Sequence, residues 1–147
     1  MTRYNTNLAA EFYVLSMLYR MGAEASLTLG NKKSVDIFVY KSNGTTLTID
    51  VKGVAKAYDW PINPANVTDD PKHYFALLTF EGKIDDPLFA PTVWIIPSKI
   101  LRESEYLQLY GTRWVAKRMM IRSKASQYLN NWSVFREEYN ESLSEQE

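Results

Sequence analysis

The sequence has no cysteine. This excludes disulfides and cysteine-held zinc, and it suits a reducing compartment, so a cytoplasmic location is expected. It has no apolar run approaching the roughly 20 residues a membrane-spanning helix needs and no signal-peptide pattern at its start, so no membrane partner is expected. Neither charge is in excess. Lys and Arg number 17, as do Asp and Glu, which argues against a free-standing, high-affinity polyanion binder. Internal repeats and low-complexity tracts are also missing. What is there is a 147-residue chain, 46% hydrophobic, long enough to bury one core. One domain over residues 1–147 is expected, with a polar acidic tail over 139–147 left frayed.

The most informative stretch is a pair of alternating segments, residues 34–40 and 47–52, around Asn43-Gly44. In an antiparallel hairpin, opposed residues share a face, and a one-residue slip swaps the faces. A two-residue loop at Asn43-Gly44 sets Asp36 against Val51 and mixes Val and Ile with Asp, Thr and Lys on both faces. A three-residue loop, Ser42-Asn43-Gly44 with a left-handed Gly44, sets Lys41 against Thr45 and Asp36 against Asp50. One face is then wholly apolar: Val35, Ile37, Val39, Leu47, Ile49 and Val51. The other carries Asp36, Phe38, Tyr40, Thr46, Thr48, Asp50 and Lys52. Hydrocarbon burial therefore selects the register that also brings the two acids together.

Two adjoining carboxylates repel, and one must take a proton unless a cation lies between them. Mg²⁺ takes oxygen ligands and keeps several waters, so one or two carboxylates plus a substrate phosphate suffice. Lys52 lies two residues beyond Asp50 on the same face. Its ammonium is placed to hold an attacking water or to stabilise charge building on phosphate oxygens. The plainer alternative is a surface Asp–Lys pair on a solvated strand.

A third acid lies upstream. Residues 5–21 read as a helix, with Gly22 suited to the position just past its end. Leu8, Phe12, Leu15, Leu18 and Tyr19 form an apolar arc, and Glu11 falls inside it. A carboxylate on a buried stripe needs a partner. Glu11 is read either as a salt-bridged glutamate at the edge of the stripe or as a third ligand, direct or through water, to the hairpin's metal.

A helix with Glu11, then Gly22, a strand near residues 25–29, Asp36 and Asp50-Val51-Lys52 resembles the PD-(D/E)-x-K nuclease superfamily. The resemblance implies an α/β, restriction endonuclease-like fold: an αβββαβ core with a mixed sheet of four to five strands flanked by helices. It implies a metal-dependent, endonuclease-type phosphodiesterase acting on nucleic acid, with DNA favoured. Carried over residue by residue, Asp36, Asp50, the Val51 carbonyl and Glu11 hold Mg²⁺ or Mn²⁺, and Lys52 assists the nucleophile. Val35 stands where the motif's name has proline. The chain is also similar to a branch of small microbial proteins of this fold. There the Lys strand is followed by a tryptophan loop (58–62), an aromatic strand (73–80), a strand ending in proline (92–98) and a closing helix containing residues 128–132. Some of that branch have glutamine where this chain has Asp50, so the acid favours retained metal binding. The alternative function is an inactive module of the same fold that binds nucleic acid or a protein partner.

Further residues are candidates for nucleic-acid contact. Lys32 and Lys33 lie in a basic loop leading into Asp36 and can reach a substrate backbone; the loop lacks P-loop spacing. Lys56 is a second cation near the site or a solvated loop lysine. Trp60 either stacks on a base or closes over the core. His73, the one histidine, starts a strand and is read as structural before it is read as a phosphate contact. Trp94, Trp114 and Trp132 read as core. Residues 113–124 carry Arg113, Lys117, Arg118, Arg122 and Lys124 with no acid, as a phosphate-tracking surface or the outside of ordinary helices. Asp69-Asp70-Pro71 and Asp85-Asp86-Pro87 read as turns. A homodimer is an open expectation, since cutting two strands calls for two sites.

Overall fold

A computed structural model describes residues 2–28 and 35–137. Helix α1 (Arg3–Arg20) is followed by β1 (Glu24–Leu27), β2 (Ile37–Tyr40), β3 (Thr46–Val54), β4 (Trp60–Pro61), β5 (His73–Thr79) and β6 (Thr92–Pro97). Then come α2 (Ser98–Leu101), β7 (Leu107–Tyr110), β8 (Arg113–Ala116) and α3 (Arg118–Lys124), with short 3-10 turns between and after. The fold is α/β. A mixed five-stranded sheet runs β1-β2-β3-β5-β6, with β3 and β5 parallel and the other neighbours antiparallel. A three-stranded sheet runs β4-β8-β7.

The β2–β3 hairpin has the three-residue loop. Tyr40 opposes Thr46, Val39 opposes Leu47 and Ile37 opposes Ile49. The Lys41 N–H bonds to the Thr45 carbonyl at 2.9 Å, and Gly44 has φ +88°. Ile37, Val39, Leu47, Ile49 and Val51 all enter one core cluster, beneath α1. Burial of that face sets the register, as the alternation predicts. The hairpin loop is tied to the chain's far end: Glu137 accepts from the Ser42 hydroxyl and N–H, bonds that hold its carboxyl below the usual carboxylate range.

Helix α1 starts on Thr2, whose hydroxyl accepts from the Asn5 N–H, and ends before Gly22 at φ +78°. Its buried face differs from the predicted arc. Ala10, Val14 and Leu18 are buried, with Glu11 and Thr6, whereas Phe12 and Tyr19 are exposed. The reason is contact distance. A Cβ built on Gly53 of β3 would lie 2.6 Å from Ala10 Cβ, so backbone meets backbone there, and the small side of the helix faces the sheet. Counting large side chains points to the wrong side.

The other sheet face carries a second core, in which Phe75, Leu77, Trp94 and Ile96 meet Trp60, Ala116, Leu101 and Ile121 from the second sheet, α2 and α3. Helices thus flank both faces. The β3–β5 crossover uses β4 and a 3-10 turn, Pro64–Asn66, rather than an α-helix. The expected closing helix is two 3-10 turns, Ser126–Tyr128 and Trp132–Phe135, parted at Asn130, which has φ +52°. Asp70 and Asp86 each accept the backbone N–H two residues on, as turn formers do.

Candidate active site

Strand β2 pairs with β3 only as far as Ile37 and Ile49, while β5 accompanies β3 from Thr48 to Val54. Beyond Ile49, the β2 side of β3 is therefore an open edge among the described residues. Backbone groups alternate sides along a strand. The Thr48 N–H and the Val54 carbonyl bond toward β5, so the N–H and carbonyl of Val51 face the open edge.

Asp36 closes part of it. Its N–H bonds to the Ile49 carbonyl at 3.1 Å, which the ladder already pairs with Ile37. Two residues of one strand thus converge on one acceptor, the arrangement of a β-bulge. The expected direct opposition of Asp36 and Asp50 becomes an offset. The bulge re-aims the Asp36 carboxylate, and Oδ2 accepts the Val51 N–H at 2.7 Å. Asp36 is thereby fixed to the residue between Asp50 and Lys52.

Asp50 is buried, at 4% exposure, as is Asp36 at 7%. A buried carboxylate requires a donor, and His73 supplies it. His73 Nε2 lies 3.1 Å from Asp50 Oδ2, and Nδ1 lies 2.7 Å from Thr48 Oγ1. A proton on Nε2 lets the ring donate to Asp50, while Nδ1 lies within hydrogen-bond distance of the Thr48 hydroxyl. The parallel register places His73 beside Thr48 and so fixes this contact. Lys52 is half-buried and has no hydrogen bond or ion pair among the described residues. An Asp50–Lys52 surface pair is therefore not what the fold builds: the acid is buried on a histidine and the ammonium stands apart.

Glu11 is buried at 6% exposure, as expected despite the rotated arc. It follows Ala10, the residue that abuts Gly53 two positions past Val51, so α1 brings it to the same stretch of β3 from the opposite face. Among the described residues, no three or more acidic or histidine side chains form a cluster able to hold a metal ion. What the edge offers a cation is narrower: two neighbouring buried carboxylates, Asp36 and Asp50, and a backbone carbonyl, Val51, all hard oxygen donors. That set fits Mg²⁺ or Mn²⁺, which complete their shell with water and substrate oxygens.

The remaining sequence candidates separate. Trp60 is fully buried, donates Nε1–H to the Leu78 carbonyl at 2.8 Å and meets Trp94 edge-on. Stacking on a base is thus closed to it, and it is the core lid. Lys56 is exposed in the loop after β3. Lys32 and Lys33, and the tail over 139–147, lie outside the described residues. Trp114 is exposed, not core. His73 as partner of Asp50 escaped the sequence reading, because its contact depends on a parallel pairing across 23 residues that local pattern does not encode. A lone histidine opening an aromatic strand was the available signal.

No protein-family model matches the chain, and no curated protein does. Among solved structures, the fold is similar to that of a bacterial homing endonuclease, I-Ssp6803I, with a TM-score of 0.57 at 16% identity, covering 90% of this chain and 91% of that one. The likeness extends over nearly the whole of both chains, and it is a likeness of fold. No described helix is long and apolar enough to cross a membrane.

Proposed function

We propose that this chain is a metal-dependent nuclease of the PD-(D/E)-x-K kind that hydrolyses phosphodiesters in nucleic acid, with DNA favoured. One observation carries the reading: the Asp36 carboxylate is bonded at 2.7 Å to the backbone of Val51, between Asp50 and Lys52. That bond ties the hairpin acid to the stretch of β3 that carries Asp50 and Lys52, beside the open strand edge. The overall likeness to an endonuclease structure supports it.

In this reading Asp36, Asp50 and the Val51 carbonyl would hold Mg²⁺ or Mn²⁺, with Glu11 reaching the site through water. The bound cation would supply Lewis-acid polarisation of the scissile phosphate and a more acidic water. His73 fixes the Asp50 carboxylate so that Oδ2 is occupied and its direction set. Lys52, with no acid partner among the described residues, orients the attacking water or takes up charge on a non-bridging oxygen.

The test is cleavage of plasmid and oligonucleotide substrates in Mg²⁺ and Mn²⁺ by the wild type, Asp50→Asn and Lys52→Ala. Loss of cleavage in both variants, with unfolding curves that still show a cooperative fold, supports the assignment. Equal activity in all three removes it. A second reading, a non-catalytic module of the same fold, draws on the described residues, among which no three acids or histidines cluster. Metal separates the two. A metal-binding native state gains thermal stability in Mn²⁺, by roughly 2.7 kcal/mol at a hundred times the Kd, and Asp36→Ala abolishes the gain. The inert module shows no gain at all.

A further inference from the structure

The β7–β8 hairpin is built as a projecting ribbon. Leu107 and Ala116, at its base, pack into the second core. One pair further out on the same face, Leu109 opposes Trp114, and both are exposed. On the other face Tyr110 opposes Arg113 beside the Gly111-Thr112 turn, and Tyr110 is 75% exposed. The ribbon therefore runs past the core that supports it and shows apolar side chains on both sides of its tip. Stability does not call for this; a soluble hairpin tip of no further use would be polar.

Its charge indicates the occupant. Of the five cations in residues 113–124, Lys117 is paired with Asp59 at 3.1 Å and Lys124 with Glu105 at 3.2 Å. Arg113 and Arg122 are exposed and have no acid partner among the described residues. Lys117 Nζ also stands 5.8 Å from the Tyr110 ring centroid, holding positive charge against the aromatic tip. The ribbon's base is part of the layer that covers Phe75 and Leu77, and these share the sheet face of Asp50 and Lys52 by the β3–β5 register. With an aromatic tip carrying Arg113, followed in the chain by Lys117 and by Arg122 of α3, and on the Asp50 side of the sheet, the ribbon and α3 complement a polyanion held over that edge. A two-stranded ribbon also matches the width of a duplex major groove.

We infer that the β7–β8 hairpin and the α3 helix that follows it form the substrate-gripping element of this chain, with Arg113 of the hairpin and Arg122 of α3 on phosphates and Tyr110 and Trp114 against bases or sugars of a nucleic-acid duplex. The inference rests on the nuclease reading and names the part of the fold that holds its substrate.

The experiment is fluorescence-anisotropy titration of a labelled duplex with full-length Asp50→Asn protein, silenced for cleavage, across a series of salt concentrations. Added to it are Tyr110→Ala, the double variant Arg113→Ala/Arg122→Ala, and a control, Arg3→Ala, on the helix covering the opposite sheet face. The double variant should lose about tenfold or more in affinity and reduce the salt slope by about two, one for each phosphate contact. Tyr110→Ala should lose roughly tenfold with its slope unchanged, and Arg3→Ala should bind as the parent does. Tyr110→Ala and double variants that bind like Arg3→Ala, while the wild type still cleaves, overturn the inference and leave the nuclease reading standing. A parent that binds no nucleic acid overturns both. Concentration-dependent assembly abolished by Tyr110→Ala, with unchanged duplex affinity, makes the tip a contact between copies and overturns the inference as well.

Discussion

Gly53→Ala tests the contact on which the placement of Glu11 depends. The added methyl would stand 2.6 Å from Ala10 Cβ, 3.4 Å from the Thr6 carbonyl oxygen and 3.9 Å from Ala10 Cα. Carbon atoms in contact prefer about 3.5–4.0 Å, so the helix must withdraw by about 1 Å. Neither contact is the end of a flexible side chain that could swing aside. Overpacking of this kind costs about 1–3 kcal/mol, or roughly 2–12 °C in Tm for a domain of this size. Ala10→Gly removes the opposing methyl at a helix-propensity cost of about 1 kcal/mol. If the clash is the cause, the two changes are not additive: Gly53→Ala/Ala10→Gly should be more stable than the sum of the singles predicts, with a coupling of about 1–2 kcal/mol. Urea denaturation of the four proteins measures this. A Gly53→Ala protein as stable as the wild type, or a strictly additive double variant, refutes the close approach of α1 and with it the placement of Glu11 against this stretch of β3.

Trp60→Phe removes the donor to the buried Leu78 carbonyl and should lower stability by about 1–3 kcal/mol in the same denaturation assay; an unchanged midpoint would mean that the indole N–H is not needed there. Asp59→Ala removes the acceptor of the Arg118 N–H at the start of α3, at 2.8 Å. It should cost about 0.5–2 kcal/mol, as loss of a helix cap does, and hydrogen exchange should quicken at residues 118–121 before it does in β5. The accompanying Lys117 pair is partly solvated and adds little.

What the sequence reveals is local. Alternation over residues 35–51 fixes the hairpin register because a slip would place Val and Ile in water. Gly44 and Gly22 mark their turns because only a residue without Cβ adopts those φ values cheaply. The buried Glu11 is legible because it sits near apolar neighbours whichever way the arc is centred. The orientation of α1 is not legible, since it is set by the absence of a side chain at Gly53, forty-three residues from Ala10. Nor is the Asp36 bulge, which arises where β2 ends and β3 continues. The exposure of Trp114 escapes for a related reason: its strand alternates like a core strand but overhangs the surface that would cover it.

Stability and chemistry make opposite demands along Asp50-Val51-Lys52, and this separates the residues by experiment. Asp36 and Asp50 each have a structural bond, to the Val51 N–H and to His73, so truncating either leaves a buried donor without its acceptor. Lys52 is half-buried and has no hydrogen bond or ion pair among the described residues, so removing its charge breaks no bond that these residues make. On the proposed reading, Lys52→Met keeps most of the stem and discards the charge, so it should leave stability unchanged or raise it by up to about 2 kcal/mol, while eliminating cleavage. A Lys52→Met protein less stable than the wild type would mean that the ammonium has a structural partner in solution, and that the edge of β3 is organised for folding rather than for catalysis.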